Sequence, residues 1–127
     1  MEATAYARFQ RVGTRKVAQV LKEIRGKSVL QVQQLLTMIP RACVPVVAKT
    51  VQSAAANLSV AAGRQGKTLI PENVYIKSCW STMGPMGQMK RVKPAPMGRA
   101  MTFKRKVCHV TVVVSDERAG KSNKGNR

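Results

Sequence analysis

The stretch "KVCHVTVVVSD", Lys106 to Asp116, alternates: Cys108, Val110, Val112 and Val114 fall on one side of an extended chain, His109 and Thr111 on the other. Apolar residues at a period of two specify a strand with one face in a core. Upstream, "VYIKSCW" (Val74 to Trp80) alternates as well, with Val74, Ile76, Ser78 and Trp80 on one side and Tyr75, Lys77 and Cys79 on the other. That reading turns Trp80 inward, into the core at the base of a hairpin. Between the two runs lies "MGPMGQMKRVKPAPMGRAMTFKRK", Met83 to Lys106, with seven Lys or Arg, five Met and no acid.

Tyr75–Val92 and Met97–Val114 are each 18 residues long and flank "KPAP", so the strands can continue as two arms of one hairpin with its apex near Pro94 and Ala95. At about 3.3 Å per residue each arm could reach roughly 60 Å, whereas a domain of this size has a radius of gyration of about 14 Å. The distal half therefore cannot lie on its own domain. Two basic strands alone are marginal in water, so an outside partner must hold them. Lys90, Arg91, Lys93, Arg99, Lys104, Arg105 and Lys106 offer charges to phosphates, and Met83, Met86, Met89, Met97 and Met101 offer pliable apolar contact.

Outward from the arm the period changes. "AYARFQRV", Ala5 to Val12, reads as a short strand with Ala5, Ala7 and Phe9 on one face and Tyr6, Arg8 and Gln10 on the other. From Thr14 as N-cap, Val17, Val20, Leu21 and Ile24 fall at i, i+3, i+4 and i+7, a helix ended by Gly26. Ser28 with Gln31 matches a capping box, opening a helix through Val29, Val32, Leu35, Leu36 and Ile39 that stops at Pro40. A third helix starts near Arg41, tolerates Pro45 in its first turn and runs to about Ala62, with Val44, Val47, Val51, Ala55 and Leu58 as its stripe. Its "SAAAN", Ser53 to Asn57, lets another backbone approach closely. A loop follows from Gly63 to Glu72. The expected fold is α+β: three helices packed on a small antiparallel sheet, with a long extended β-hairpin arm.

The length of 127 residues fits one domain, residues 1–127, with residues 83–106 as a projecting arm and residues 116–127, "DERAGKSNKGNR", as a flexible basic tail. The 23 Lys and Arg against five acids give a formal charge of +18, a self-repulsion that calls for a polyanion. Arg8, Arg11, Arg15, Lys16 and Lys22 on the body join the arm cations as expected phosphate ligands. The longest run without a charged residue, Thr50 to Gly63, has 14 residues, too few to span a bilayer, which takes about 20.

Catalysis is not expected. Glu23 and Glu72 are isolated, and Glu2, Asp116 and Glu117 lie near the ends, leaving no carboxylate pair for acid–base work. Cys108 and His109 are adjacent but face opposite sides of a strand, and Cys43, Cys79 and Cys108 lack the spacing of a metal site or a disulfide framework. No metal, cofactor or small-molecule substrate is expected. Trp80 and Phe103 could stack on unpaired bases, the core being the simpler place for Trp80. A free β-ribbon DNA-binding architectural or regulatory protein is the alternative function.

Four blocks, "RKVAQVLKEIRGKSV" (Arg15–Val29), "PRACVPVVAKTVQSAAAN" (Pro40–Asn57), "MKRVKPAPMGRA" (Met89–Ala100) and "CHVTVVV" (Cys108–Val114), resemble the successive blocks of the large ribosomal subunit protein twenty-two family. The resemblance covers about Tyr6 to Ser115. It implies a structural constituent of the large subunit that binds large-subunit ribosomal RNA, meets neighbouring ribosomal proteins and helps subunit assembly. It further implies a hairpin lining the nascent-peptide exit tunnel, where it would meet the nascent polypeptide. The family tip "KRFRPRARGR" then corresponds to Lys90 through Arg99, with Val92, Lys93, Pro94, Ala95, Pro96, Met97 and Gly98 at the tunnel. Ala95 and Met97 stand for two family arginines and Val92 for the aromatic, while "TMGPMGQM" replaces a shorter turn. The "RAC", "SAAAN" and "CH" variants resemble the cyanobacterial and plastid branch, which implies a chloroplast ribosome, with the bacterial cytoplasm as the alternative.

Overall fold

The computed structural model describes residues 1–87 and 90–117. Met89 and the tail beyond Glu117 lie outside the described residues. The elements run β1 (Glu2–Gln10), α1 (Thr14–Ile24), α2 (Val29–Met38), α3 (Val44–Arg64), a short 3-10 turn (Pro71–Asn73), β2 (Tyr75–Met83), β3 (Lys90–Pro94), β4 (Ala100–Lys104) and β5 (Cys108–Ser115). This is the expected α+β fold, three helices on a small antiparallel sheet.

The central strand is β5, paired antiparallel to β1 on one side and β2 on the other. Cys108, Val110, Val112 and Val114 all point into the core and are fully buried, as their alternation required. From α1 come Val17, Val20, Leu21 and Ile24, from α2 Val29, Val32 and Leu36, and from α3 Val47, Val51, Ala54 and Leu58. The stripe of α3 is turned by a fraction of a helical step from the expected one: Thr50, Ala54 and Ala62 are buried, while Val44 and Ala55 pack at its edge. Thr50 is accommodated because its hydroxyl donates to the Val46 carbonyl at 2.8 Å. As "SAAAN" predicted, α3 lies close on the sheet: Ala54 is fully buried and the Asn57 amide donates to the Thr4 carbonyl at 3.1 Å.

The helix ends differ from the reading in small, explicable ways. Gly13 occupies the cap of α1 and Thr14 is its first helical residue, so no side-chain hydroxyl caps the helix. Gly26, at φ +78°, ends α1 by a left-handed step, and its N–H donates to the Ile76 carbonyl at 3.0 Å. The Lys27 carbonyl accepts from the Ile76 N–H, Ser28 bridges to Tyr75 and the Val29 N–H donates to the Val74 carbonyl just before β2, so the connector between α1 and α2 occupies the free edge at the start of β2. Ser28 caps α2 as expected, accepting from the Gln31 N–H at 3.5 Å. The third helix begins at Val44 rather than Arg41 and continues past Ala62 to Arg64.

Two bulges overturn the face assignments of the outer strands. In β2 the register moves from Ile76 opposite Val114 to Ser78 opposite Val113, so Lys77 is an extra residue and the parity beyond it inverts. Cys79 is therefore buried, and Trp80, expected inward, is 46% exposed on the outer face. In β1 the step from Ala7 opposite Val110 to Gln10 opposite Cys108 spans three residues against two, with Phe9 at φ +54°. Phe9 leaves the face of Ala5 and Ala7 and stands 62% exposed. The strand itself runs earlier than expected, over Glu2–Gln10 rather than Ala5–Val12.

The hairpin is built in two pieces. In the lower piece Met83 faces Cys108, whereas in the upper piece Lys90 faces Lys104, so the chain has six residues between these pairs on one side and three on the other. Three surplus residues on one side preclude the uniform 18-residue arms. Pro94 pairs with Ala100, and the Ala95 N–H donates to the Arg99 carbonyl at 2.9 Å. The apex is thus Pro96–Arg99, not Pro94 and Ala95. Its two central residues, Met97 and Gly98, have φ of +59° and +69°, the signature of a turn that matches strand twist. Met97 accepts a conformation that disfavours a side chain by about 1 kcal/mol, and it is 95% exposed.

No residue of β3 or β4 belongs to the buried core. Excising residues 90–104 and closing the gap with a short Gly-Ser linker is therefore expected to leave the melting temperature of the body within about 3 °C, given the usual scale of about 4–8 °C per kcal/mol. A loss of cooperative melting in a thermal scan would show that the hairpin supports the body.

Candidate nucleic-acid interface

Where the hairpin leaves the body, Gly84 passes so close to β5 that a Cβ there would sit 2.9 Å from Val107 Cγ1 and 3.3 Å from the Val107 carbonyl oxygen. The Gly84 N–H donates to that carbonyl at 2.8 Å. The root of the hairpin shares a cavity with the β1–α1 corner and the segment before α3. A cleft of about 1070 Å³ lies between them. Arg11 and Lys16 line it from the β1–α1 corner, Arg41 from the α2–α3 connector, and Arg91, Lys104, Arg105 and Lys106 from the hairpin. No acid lines it, so seven cations converge without an internal counter-ion.

This arrangement is self-repulsive. Lys90 and Lys104 stand directly opposite on paired strands, an opposition that destabilises an isolated ladder. The one aromatic in the hairpin partly offsets it: Lys93 Nζ lies 5.2 Å and Arg105 Cζ 5.8 Å from the centre of the Phe103 ring. Phe103, half-buried beneath these cations and lining the cleft, is thereby a platform that orders charge.

Of the twelve sequence-derived phosphate ligands, Arg11, Lys16, Arg91, Lys104, Arg105 and Lys106 meet in this cleft. Lys90, Lys93 and Arg99 follow the hairpin outward, and Arg15 and Lys22 stand exposed on α1. Arg8 lies apart, on the outer face of the sheet, its guanidinium 5.7 Å from the centre of the Tyr6 ring. Arg41 joins the cleft although its sequence context suggested only a helix start; it also donates to the Gln19 side chain of α1, which aims it. A cation next to Pro40, in a connector too short to be helical, was the available signal.

The remaining candidate chemistry is structural. Cys108 is fully buried, and His109 on the other face accepts the Phe9 N–H at Nδ1, 3.0 Å away, with the two rings edge to face at 4.8 Å. His109 therefore braces the β1 bulge and is no base for Cys108. Burial pushes the Cys79 and Cys108 thiols above their usual range, the nearby Arg25 opposing this only partly at Cys79. The Cys79 thiol donates to the Leu21 carbonyl at 3.3 Å. With all three thiols buried and two held protonated, an aromatic disulfide reagent at pH 8 is expected to react at the rate of unfolding, with three equivalents appearing only in denaturant. Rapid labelling of the folded chain would contradict that packing. Among the described residues no cluster of three His, Cys, Asp or Glu could hold a metal ion, and no helix is long and apolar enough to cross a membrane.

The sequence model of the family described as ribosomal protein L22p/L17e matches residues 5–115. Among curated relatives, the large ribosomal subunit protein uL22 of Pelotomaculum thermopropionicum is 39% identical over 120 residues, covering 94% of this chain and 100% of its own. Those of Clostridioides difficile and Thermotoga sp. strain RQ2 are 36% and 37% identical, covering 93% and 91% of this chain and 100% and 69% of their own.

Proposed function

The chain belongs to the ribosomal protein L22p/L17e family, a structural component of the large ribosomal subunit and not an enzyme, and from that premise we propose that it binds large-subunit ribosomal RNA through its basic cleft and hairpin. The observation that carries this reading is the convergence of seven cations and no acid at the root of the hairpin. Backbone phosphates supply the charge that such a cleft lacks, and their binding releases counterions. Lys90, Lys93 and Arg99 continue the track along β3 and the turn, and Arg15 and Lys22 extend it over α1.

In this reading residues 83–106 act as an arm of a single RNA-binding domain, residues 1–127, and the tail 116–127 adds charge. The arm is threaded between RNA segments, with Val92 to Gly98 at the wall of the nascent-peptide tunnel. The nascent polypeptide and neighbouring ribosomal proteins are then its protein partners. The "RAC", "SAAAN" and "CH" variants favour a plastid ribosome over the bacterial cytoplasm, although the relatives named above are bacterial.

Sedimentation of a cell or plastid extract through sucrose in moderate salt tests the reading. The chain is expected to travel with large subunits and to leave them only as ribosomal RNA is digested. Release into the soluble fractions with intact subunits, as for a free DNA-binding ribbon, would refute it.

A further inference from the structure

None of the five aromatic side chains lies in the buried core, which is aliphatic throughout apart from its thiols. Tyr6 is 63%, Phe9 62% and Trp80 46% exposed. These three do not scatter. Tyr6 and Trp80 both pair with Thr111 of the central strand, one from each side, so they flank it in a single row across the face of the sheet that the helices leave open. With strands about 4.8 Å apart, the two aromatic positions are about 10 Å apart. Thr111 between them is only 6% exposed, roofed by its neighbours. Phe9 and His109 stand next along the same face and, with Tyr6 and Arg8, line a shallow groove of about 330 Å³.

Three large rings on one open face forfeit the burial that aromatic side chains ordinarily obtain. The two bulges are what put Phe9 and Trp80 there; without them both side chains would point into the core. The charge on the face selects the occupant. Arg8 lies against the Tyr6 ring, and Glu2, at the far end of β1, is held by Lys77. Rings spaced across a three-stranded sheet beside a cation suit a flexible polyanion with exposed π-faces, which is single-stranded nucleic acid; a duplex keeps its bases stacked inside.

We propose that the outer face of the β1–β5–β2 sheet is a second RNA site, where unpaired bases stack on Tyr6 and Trp80 while Arg8 holds the intervening phosphate. It rests on the RNA-binding reading above but uses a different surface from the cleft and the arm.

Trp80 is the sole tryptophan, so its emission reports on this face directly. The purified full chain is titrated with a single-stranded RNA hexamer and with an abasic hexamer of equal charge. The base-bearing hexamer is expected to quench Trp80 and to bind about tenfold tighter than the abasic one, and Tyr6→Ala, at an exposed position, is expected to remove most of that advantage without changing abasic affinity. Equal affinity for the two hexamers, or an advantage untouched by Tyr6→Ala, would overturn the proposal. So would shielding of Trp80 in assembled subunits that survives ribonuclease and is lost on removing proteins, which would assign the face to a protein neighbour. Retention of Tyr6→Ala on large-subunit RNA through the cleft separates the two sites. Loss of wild-type retention with base-dependent quenching intact would count against the cleft reading alone.

Discussion

Replacing Arg91, Lys104, Arg105 and Lys106 together with Gln is expected to lower affinity for large-subunit ribosomal RNA by 10² to 10³-fold, on the order set by losing four phosphate contacts near physiological salt. These four form the hairpin wall of the cleft, so their loss leaves Arg11, Lys16 and Arg41 facing a neutral strand. The slope of log affinity against log salt should flatten by about three to four, because each phosphate contact contributes about 0.7 to 0.9. None of the four lies in the core, and removing Lys104 relieves its opposition to Lys90, so the body should melt no lower than the parent. Lys49→Gln with Arg64→Gln, cations of α3 outside the cleft, provides the control, expected to change affinity only a few-fold. Equal losses per charge removed, four cations against two, would mean that the chain binds RNA by net charge alone.

The second large effect lies in the body. Leu58→Ala removes a fully buried side chain from the face of α3 that packs on β1 and β5, and is expected to cost about 3 kcal/mol as lost burial plus a cavity. The melting temperature should fall by about 10 to 20 °C. Leu58 touches neither the cleft nor the hairpin, so below the new transition RNA affinity should remain within about twofold of the parent. Binding that falls in proportion to stability at low temperature would mean that the body is remodelled by RNA rather than presenting a formed cleft.

How far the fold could be read in advance depended on whether a local period decided the outcome. The helix α1 was legible because Val17, Val20, Leu21 and Ile24 all obey one period, and β5 because nothing interrupts its alternation. The faces of β1 and β2 were not, since one extra residue inverts every side chain beyond it, and whether Lys77 or Phe9 is that residue is decided by pairing with β5 rather than by local composition. The same cause hid the outer aromatic row. Trp80 falls on the core face only if the alternation of β2 runs without a bulge. The hairpin was legible in existence and charge, while its apex followed from the pairing of Pro94 with Ala100, three residues out of register with the lower strands. Half of the expected phosphate ligands converge in the cleft. The cleft is lined from three separate segments, the β1–α1 corner, the α2–α3 connector and the hairpin, whose meeting is set by tertiary packing that a local period does not display.

The seven-cation cleft and the outer aromatic face lie on different surfaces, and the hairpin continues the basic track beyond the body. The hairpin carries facing lysines at Lys90 and Lys104 and a left-handed Met97 at its tip, features that an isolated two-stranded ribbon bears poorly.

The most direct test places a photoreactive group at Met97, the exposed apex, and irradiates purified large subunits carrying a stalled nascent peptide. Crosslinks to tunnel RNA or to the peptide are the result this account predicts. Crosslinks to neither, in subunits shown to contain the chain, would contradict it and remove the hairpin from the tunnel.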